Sequence, residues 1–193
     1  MTRRRRLLQG LALAALAAQA PHAPGVEVVS AAASPALPPE LKPLMPQATL
    51  RGQGRLRFLL MQVYDIRLWS AQPVRPQRWA DTPLALEVVY ARSLAGRVIA
   101  ERSLEEMRRQ GPLPSADETR WLDRMSAMFP DVAEGDRITG VHRPGVGLSF
   151  FHNGAPRGEV NDAAFARRFV GIWLAESTSE PALRALLLPE VQR

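Results

Sequence analysis

From Gly145 to Trp173 the chain carries two turn signals followed by a helical period, and this order leaves few folds open. Pro144-Gly145 turns a strand back on itself, and Asn153-Gly154 is the preferred central pair of a two-residue hairpin because both positions take positive φ. Strands are expected over Arg137–His142, over Leu148–Phe151, and onward to Val160. Asn161 or Asp162 then caps a helix whose Phe165, Phe169, Ile172 and Trp173 share one face. Three antiparallel strands and such a helix bury their apolar sides by packing the helix across the sheet.

Upstream, Leu56, Phe58 and Leu60 alternate with Arg55, Arg57 and Leu59, and Met61 and Val63 continue the run to Tyr64, as in a strand partly buried on both faces. Gly52 and Gly54 permit a bend before it. Asp65–Trp69 extends the sheet, and Leu84–Tyr90 reads as another strand. Beyond Tyr90 the period changes, with Leu94, Val98 and Ile99 on one helical face. Ser103-Leu104-Glu105-Glu106 and Ser115-Ala116-Asp117-Glu118 both have the capping-box form. They predict a kink or fresh start near Ser103 and a second helix from Ser115 through Trp121, Leu122, Met125 and Met128 to about Phe129, where Pro130 stops it. A short last helix covers Glu180–Leu187, with Pro181 in its first turn. Strands and helices come in runs without a repeated βαβ unit, so the fold class is α+β, an antiparallel sheet with helices on one face.

The amino terminus reads as an export signal over residues 1–31: Arg3, Arg4, Arg5 and Arg6 precede the apolar run Leu7–Ala18. That run is shorter than the roughly 18–20 residues a bilayer span requires. Arg4-Arg5-Arg6-Leu7-Leu8 resembles a twin-arginine signal and fits a general secretion signal as well. Cleavage falls after Ala18-Gln19-Ala20 or near Ala31-Ala32-Ala33. The expected location is the periplasm, and the exported chain is expected to be soluble with no membrane span. There is no cysteine, which excludes disulfides, thiolate metal sites, a cysteine nucleophile and a lipidated cysteine. Loss of the four signal arginines and Glu27 lowers the formal net charge from +6 to +3. Basic residues are spread along the chain, Lys42 is the only lysine, and no basic stripe suggests nucleic acid. Residues 32–47, rich in Ala and Pro, are read as a flexible linker, and 48–190 as one domain.

Several short segments occur in a recognisable order: Gly52–Phe58 with Val63-Tyr64-Asp65, Leu84–Glu87 with Tyr90, Ser103–Met107, Phe129–Val132 with Gly135-Asp136, Phe151–Gly154, and Ile172-Trp173-Leu174 followed by Thr178–Pro181. Together they resemble the bacterial chalcone isomerase-like family over about Leu50–Leu188. The resemblance implies an open-faced β-sandwich, a large antiparallel sheet carrying a layer of helices with an apolar cleft between them. Plant members of the wider superfamily cyclise chalcones; related non-catalytic members bind fatty acids or act as helper proteins. Laid over this chain, the plant pattern puts Leu59 at an active-site threonine, Ile99 at the catalytic tyrosine and Glu106 at the asparagine. Leu and Ile offer no donor for a developing enolate. An arginine that meets a carboxylate or phenolate is also implied near the first strand. Leu56 holds that position, flanked by Arg51, Arg55 and Arg57.

The candidate ligand-binding residues are therefore Arg57, Tyr64 and Tyr90. Arg57 is either an anion anchor or a solvent-facing strand residue, and the two tyrosines are either ligand contacts or phenols bonded to backbone. His142 and His152 are expected to lie roughly 13 Å apart along adjoining strands and do not make a metal pair. Ser149 lacks a His and Asp in any hydrolase pattern. Met125 and Met128 could line an apolar pocket or fill the core. No catalytic residue, metal ligand or cofactor is assigned. The expectation is a non-catalytic periplasmic protein that binds an apolar small molecule such as a fatty acid. The alternatives are an isomerase or lyase acting on an α,β-unsaturated carbonyl, with Tyr90 or Arg57 polarising the oxygen, and an envelope accessory protein with an unknown protein partner.

Overall fold

The computed structural model describes residues 35–189; the expected signal and its cleavage points lie outside the described residues. Six strands form one antiparallel sheet in chain order: β1 Thr49–Phe58, β2 Met61–Ser70, β3 Leu84–Tyr90, β4 Arg137–Arg143, β5 Gly147–His152 and β6 Ala155–Val160. Between β3 and β4 run α1 Gly96–Arg108 and α2 Ser115–Met128, and after β6 come α3 Ala163–Leu174 and α4 Pro181–Leu187. All four helices take part in one core with the sheet, as the α+β reading expects.

Strand alternation decides which residues meet the helices. Leu84, Leu86, Val88 and Tyr90 of β3 enter the core under the helices, while Ala85 and Glu87 between them face the other way. On the helix side the core is aromatic: Phe150 of β5 lies edge-on to Phe129 and Phe169, at 5.1 Å between ring centres in both cases, and Phe165 stacks on Phe169 at 5.7 Å. Such pairs add about 0.5–1.5 kcal/mol each beyond the area they bury. Asp162 is the N-cap of α3, its Oδ1 accepting from the amides of Ala164 and Phe165 at 2.9 and 3.0 Å.

The expected linker is largely part of the fold. From Leu37 onward it crosses the outer face of the sheet, where Leu41, Ala48, Trp69, Ala85 and Val141 form a second apolar cluster with Leu37 and Met45 beside it. Glu40, on the 3-10 turn Pro39–Leu41, is buried there. Its carboxylate accepts from Arg137 Nη2 at 2.9 Å and from Thr139 Oγ1 at 2.7 Å. The Ala-Pro composition hid this because Leu37, Leu41 and Met45 recur at intervals of four without a helix to carry them.

The run Leu56–Tyr64 is two strands, not one. The chain reverses at Leu59-Leu60, whose φ angles of +46° and +68° are the left-handed values of a two-residue hairpin. Left-handed backbone costs an L-residue with a side chain roughly 1–2 kcal/mol, and Leu-Leu gives none of the composition by which such turns are recognised. Gly52 and Gly54 serve close approach: a Cβ at Gly52 would collide with the backbone of Leu186 and Leu187, and one at Gly54 with the side chain of Leu183, so bare strand lets α4 lie on β1.

Two capping signals also resolve differently. α1 runs unbroken through Ser103, whose hydroxyl donates back to the Ile99 carbonyl at 2.7 Å. At α2 the cap position is Pro114 and Ser115 is already inside the helix, so Asp117 and Glu118 favour the first turn through its dipole rather than by a capping box. His142 lies opposite Leu148, and His152 opposite Ile138, as the expected register requires.

Candidate ligand-binding cavity

Between the sheet and the helices lies a cavity of about 570 Å³, within the roughly 300–1,000 Å³ typical of small-molecule pockets. Its floor is the helix-facing side of the sheet: Leu56, Tyr64, Leu86, Val88, Tyr90, Ile138, Gly140 and Phe150. Ile99, Arg102, Ser103 and Glu106 of α1 and Phe169, Ile172 and Trp173 of α3 make the opposite wall. Arg57, Phe58, Arg92 and Val98 belong to the lining and are exposed, so they mark its mouth.

α1 is fastened at both ends. Leu94 and Val132 bridge just before it, and the Gly96 amide donates to Asp131 Oδ1 at 2.9 Å. At the far end Gln110 Nε2 donates to the Arg168 carbonyl at 2.6 Å, while Arg168 donates to the carbonyls of Gly111 and Pro112 at 3.0 and 3.1 Å. The middle turns of α1 are thereby held over the cavity.

All three candidate ligand residues line this one space. Tyr64 and Tyr90 are cross-strand partners on β2 and β3, their rings edge-on at 6.2 Å. The Tyr64 hydroxyl accepts from Trp173 Nε1 at 2.9 Å, so its partner is a side chain rather than backbone. The Tyr90 hydroxyl has no hydrogen-bond partner among the described residues. Burial is the main force on both phenols; it pushes Tyr64 up to about 12 and raises Tyr90 as well. At neutral pH both are therefore neutral O–H donors.

Arg57 sits at the mouth. A bulge places both Leu56 and Arg57 on the lining: Leu56 pairs with Tyr64 and Arg57 with Gln62, leaving Val63 as the extra residue. Neither Arg57 nor Arg92 has a carboxylate partner among the described residues, whereas Arg55 is held bidentately by Asp65 at 2.6 and 3.0 Å. Arg102 is already committed, to Glu105 at 2.9 Å and to Glu106 at 2.5 Å. Glu106 is almost fully buried, and neither of its oxygens has a geometrically sound hydrogen bond despite the ion pair. A charged carboxylate so placed is costly unless more donors reach it.

Other expectations fall outside the cavity. Leu59 is 77% exposed on the hairpin tip, so it occupies no site, while Ile99 and Glu106 do line the wall. Met125 is core, and Met128 packs beside Gly158 on β6. His142 Nε2 lies 3.0 Å from the Ala80 carbonyl, and burial lowers its pKa. Ser149 donates to Glu159 at 2.8 Å. Sequence reasoning did not place Arg102 or Trp173 at the site, because both reach it from helices whose position over the sheet no local signal encodes.

The fold agrees with the comparisons. The chalcone isomerase-like family pattern matches residues 35–189, and the chain belongs to that family. A Haemophilus influenzae protein described only as uncharacterized is 30% identical over 126 residues, which cover 65% of this chain and 60% of that one. The chain thus spans about three fifths of the length of this relative. Among solved structures, the Arabidopsis thaliana fatty-acid binding protein AtFAP1 shares the fold, with a TM-score of 0.60 at 16% identity over 74% of this chain and 87% of the other.

Proposed function

We propose that this protein is a non-catalytic binder of an apolar small molecule that carries a carboxylate, such as a fatty acid, and that it works in the periplasm after export. The cavity carries the reading: its walls are mostly hydrocarbon, interrupted by two neutral phenols, Ser103, Ser179, Glu180 and Glu106 with its arginine, and its mouth holds Arg57 and Arg92, which have no acidic partner among the described residues. An acyl chain buried there gains about 25 cal/mol per Å² of apolar surface removed from water. Its headgroup then lies within reach of charge-assisted bonds from Arg57 or Arg92. The family and the fatty-acid binding neighbour support the same class of ligand. Ile99, where the resemblance implies a catalytic tyrosine, favours holding over turnover, because it offers no donor to a developing enolate.

Lipid extraction and mass spectrometry of protein purified from its native host test the reading, with fractionation and amino-terminal sequencing for the export. A carboxylic lipid should copurify with wild type and be lost from Gly140→Val, which narrows a cavity position where a Cβ would have only ordinary contacts with Phe150 and Leu148. Extracts no different from those of an unrelated periplasmic protein, together with no saturable binding of added fatty acid, overturn it.

A further inference from the structure

The β1–β2 hairpin ends in four consecutive large apolar residues that the fold leaves outside. Phe58 and Met61, 63% and 51% exposed, face each other across the last rung, and Leu59 and Leu60, 77% and 98% exposed, make the turn between them. Monomeric proteins seldom leave such a cluster in water without a use for it. The backbone sharpens the point. The same molecule closes its β5–β6 hairpin with Asn153-Gly154 at φ angles of +50° and +88°, the composition that suits left-handed backbone. At β1–β2 it adopts comparable angles with Leu-Leu, and no packing within the described residues compensates.

Two more observations indicate what the tip meets. Arg57, next to Phe58, and Arg92 are exposed cations without an acidic partner among the described residues, while the nearest strand carboxylate, Asp65, is neutralised by Arg55. Arg57 and Phe58 also line the cavity mouth, as does Val98 of α1, itself 53% exposed. Hydrocarbon at the point with guanidinium groups behind it is the pattern that inserts into the headgroup boundary of an anionic bilayer.

We infer that the Phe58–Met61 hairpin tip is a membrane-docking device, which inserts Leu59 and Leu60 into an anionic lipid surface and sets the cavity mouth against that surface. Docking itself does not depend on the cavity holding a lipid. If the preceding reading also holds, the ligand passes between bilayer and cavity without crossing bulk water.

Vesicle cosedimentation of the full protein from its native host tests this, with phosphatidylglycerol–phosphatidylethanolamine vesicles set against phosphatidylcholine. Wild type should favour the anionic vesicles, and binding should weaken as salt is raised. The double variant Leu59→Asn/Leu60→Gly should lose about tenfold or more in vesicle affinity. It should melt no lower than wild type, because Asn-Gly suits the turn. Arg57→Gln and Arg92→Gln should each lower affinity about fivefold. As the chain lacks cysteine, Leu60→Cys accepts a single polarity-sensitive dye, whose emission should shift to the blue on vesicles. Equal sedimentation of wild type and the double variant overturns the inference, as does an unshifted dye. A wild-type dimer that the double variant dissociates, with no vesicle binding by either, overturns it too, because the tip is then a protein interface. Unchanged fatty-acid binding in solution by the double variant separates a failure here from a failure of the cavity reading.

Discussion

The indole N–H of Trp173 donates to the phenolic oxygen of Tyr64 over 2.9 Å, a bond that joins α3 to β2 across the cavity. It spends the acceptor capacity of Tyr64 on the protein and leaves the phenolic hydrogen available to a ligand. Trp173→Phe should lower stability by about 1 kcal/mol from the lost bond, with a further loss from the smaller ring. Thermal melting checks this. The phenols also set an alkaline limit. Both folded pKa values are raised, Tyr64 to about 12, so an unfolded tyrosine releases its proton first as pH climbs past about 10. Their contribution is therefore complete below pH 10 and declines above it, by about 1.4 kcal/mol per pH unit for each phenol. Denaturant melts between pH 9 and roughly 12, followed with tyrosinate absorbance, should show ionisation coinciding with unfolding; tyrosinate that forms freely in the folded protein counts against buried phenols.

Asp162 holds two helices with one carboxylate. Oδ1 caps α3, and Oδ2 accepts from Trp121 Nε1 at 3.0 Å and Arg120 Nη2 at 2.9 Å on α2. Burial works to raise its pKa, but the amide of Phe165, the Trp121 indole, Arg120 and the amide of Ala164 outweigh it, and the net shift is downward. The stabilisation is present above the ordinary aspartate range and fades as pH falls through the lowered value. Asp162→Ala should cost about 2 kcal/mol at neutral pH and much less in acid, measurable as converging denaturation midpoints.

Glu40 anchors the segment that crosses the outer face. Its removal leaves Arg137 with only a distant contact to Glu87 at 3.6 Å and Thr139 without its acceptor. Glu40→Ala should destabilise by roughly 3–5 kcal/mol, the range for breaking a buried pair on one side. Limited proteolysis should then cut within residues 35–48 sooner than in wild type, and Glu40→Gln should recover part of the loss.

Glu106 sets a carboxylate in the wall of the cavity that a fatty-acid anion would enter, and so repels it. Glu106→Gln removes that repulsion and frees Arg102 from one of its two acids, so fatty-acid affinity should rise roughly fivefold, equivalent to about 1 kcal/mol of screened charge interaction. Titration calorimetry with a soluble fatty acid reads the change. A drop in affinity would instead make Glu106 a hydrogen-bonding partner of the ligand.

The parts legible in the sequence are those whose residues encode a local geometry. Asn153-Gly154 declares its turn, Asp162 its cap, and Phe165, Phe169 and Trp173 their shared face, and each is where that chemistry puts it. Leu59-Leu60 was illegible because a turn made of leucines extends the apolar alternation on either side. The Ser115 box failed because Pro114 takes the cap position. At the cavity, Tyr64 and Tyr90 could be suspected as the only tyrosines, both in apolar strands. The bond of Tyr64 to Trp173, and the presence of Arg102 and Glu106 in the same lining, depend on how helices far along the chain cross the sheet, which is a matter of tertiary packing.

The floor of the cavity and its roof are built from different bonds. The floor belongs to a sheet of strands knitted by backbone hydrogen bonds, whereas α1 and α3 rest on it through side chains, with α1 tied down at its two ends. A guest longer or thicker than the space therefore deforms the roof and not the floor, as interlocking hydrocarbon yields at less expense than a ladder of amides. On the proposed ligand-binding reading, tolerance for guests of different length would lie in the middle of α1, and selectivity for their polar ends in the strands that carry Arg57, Tyr64 and Tyr90.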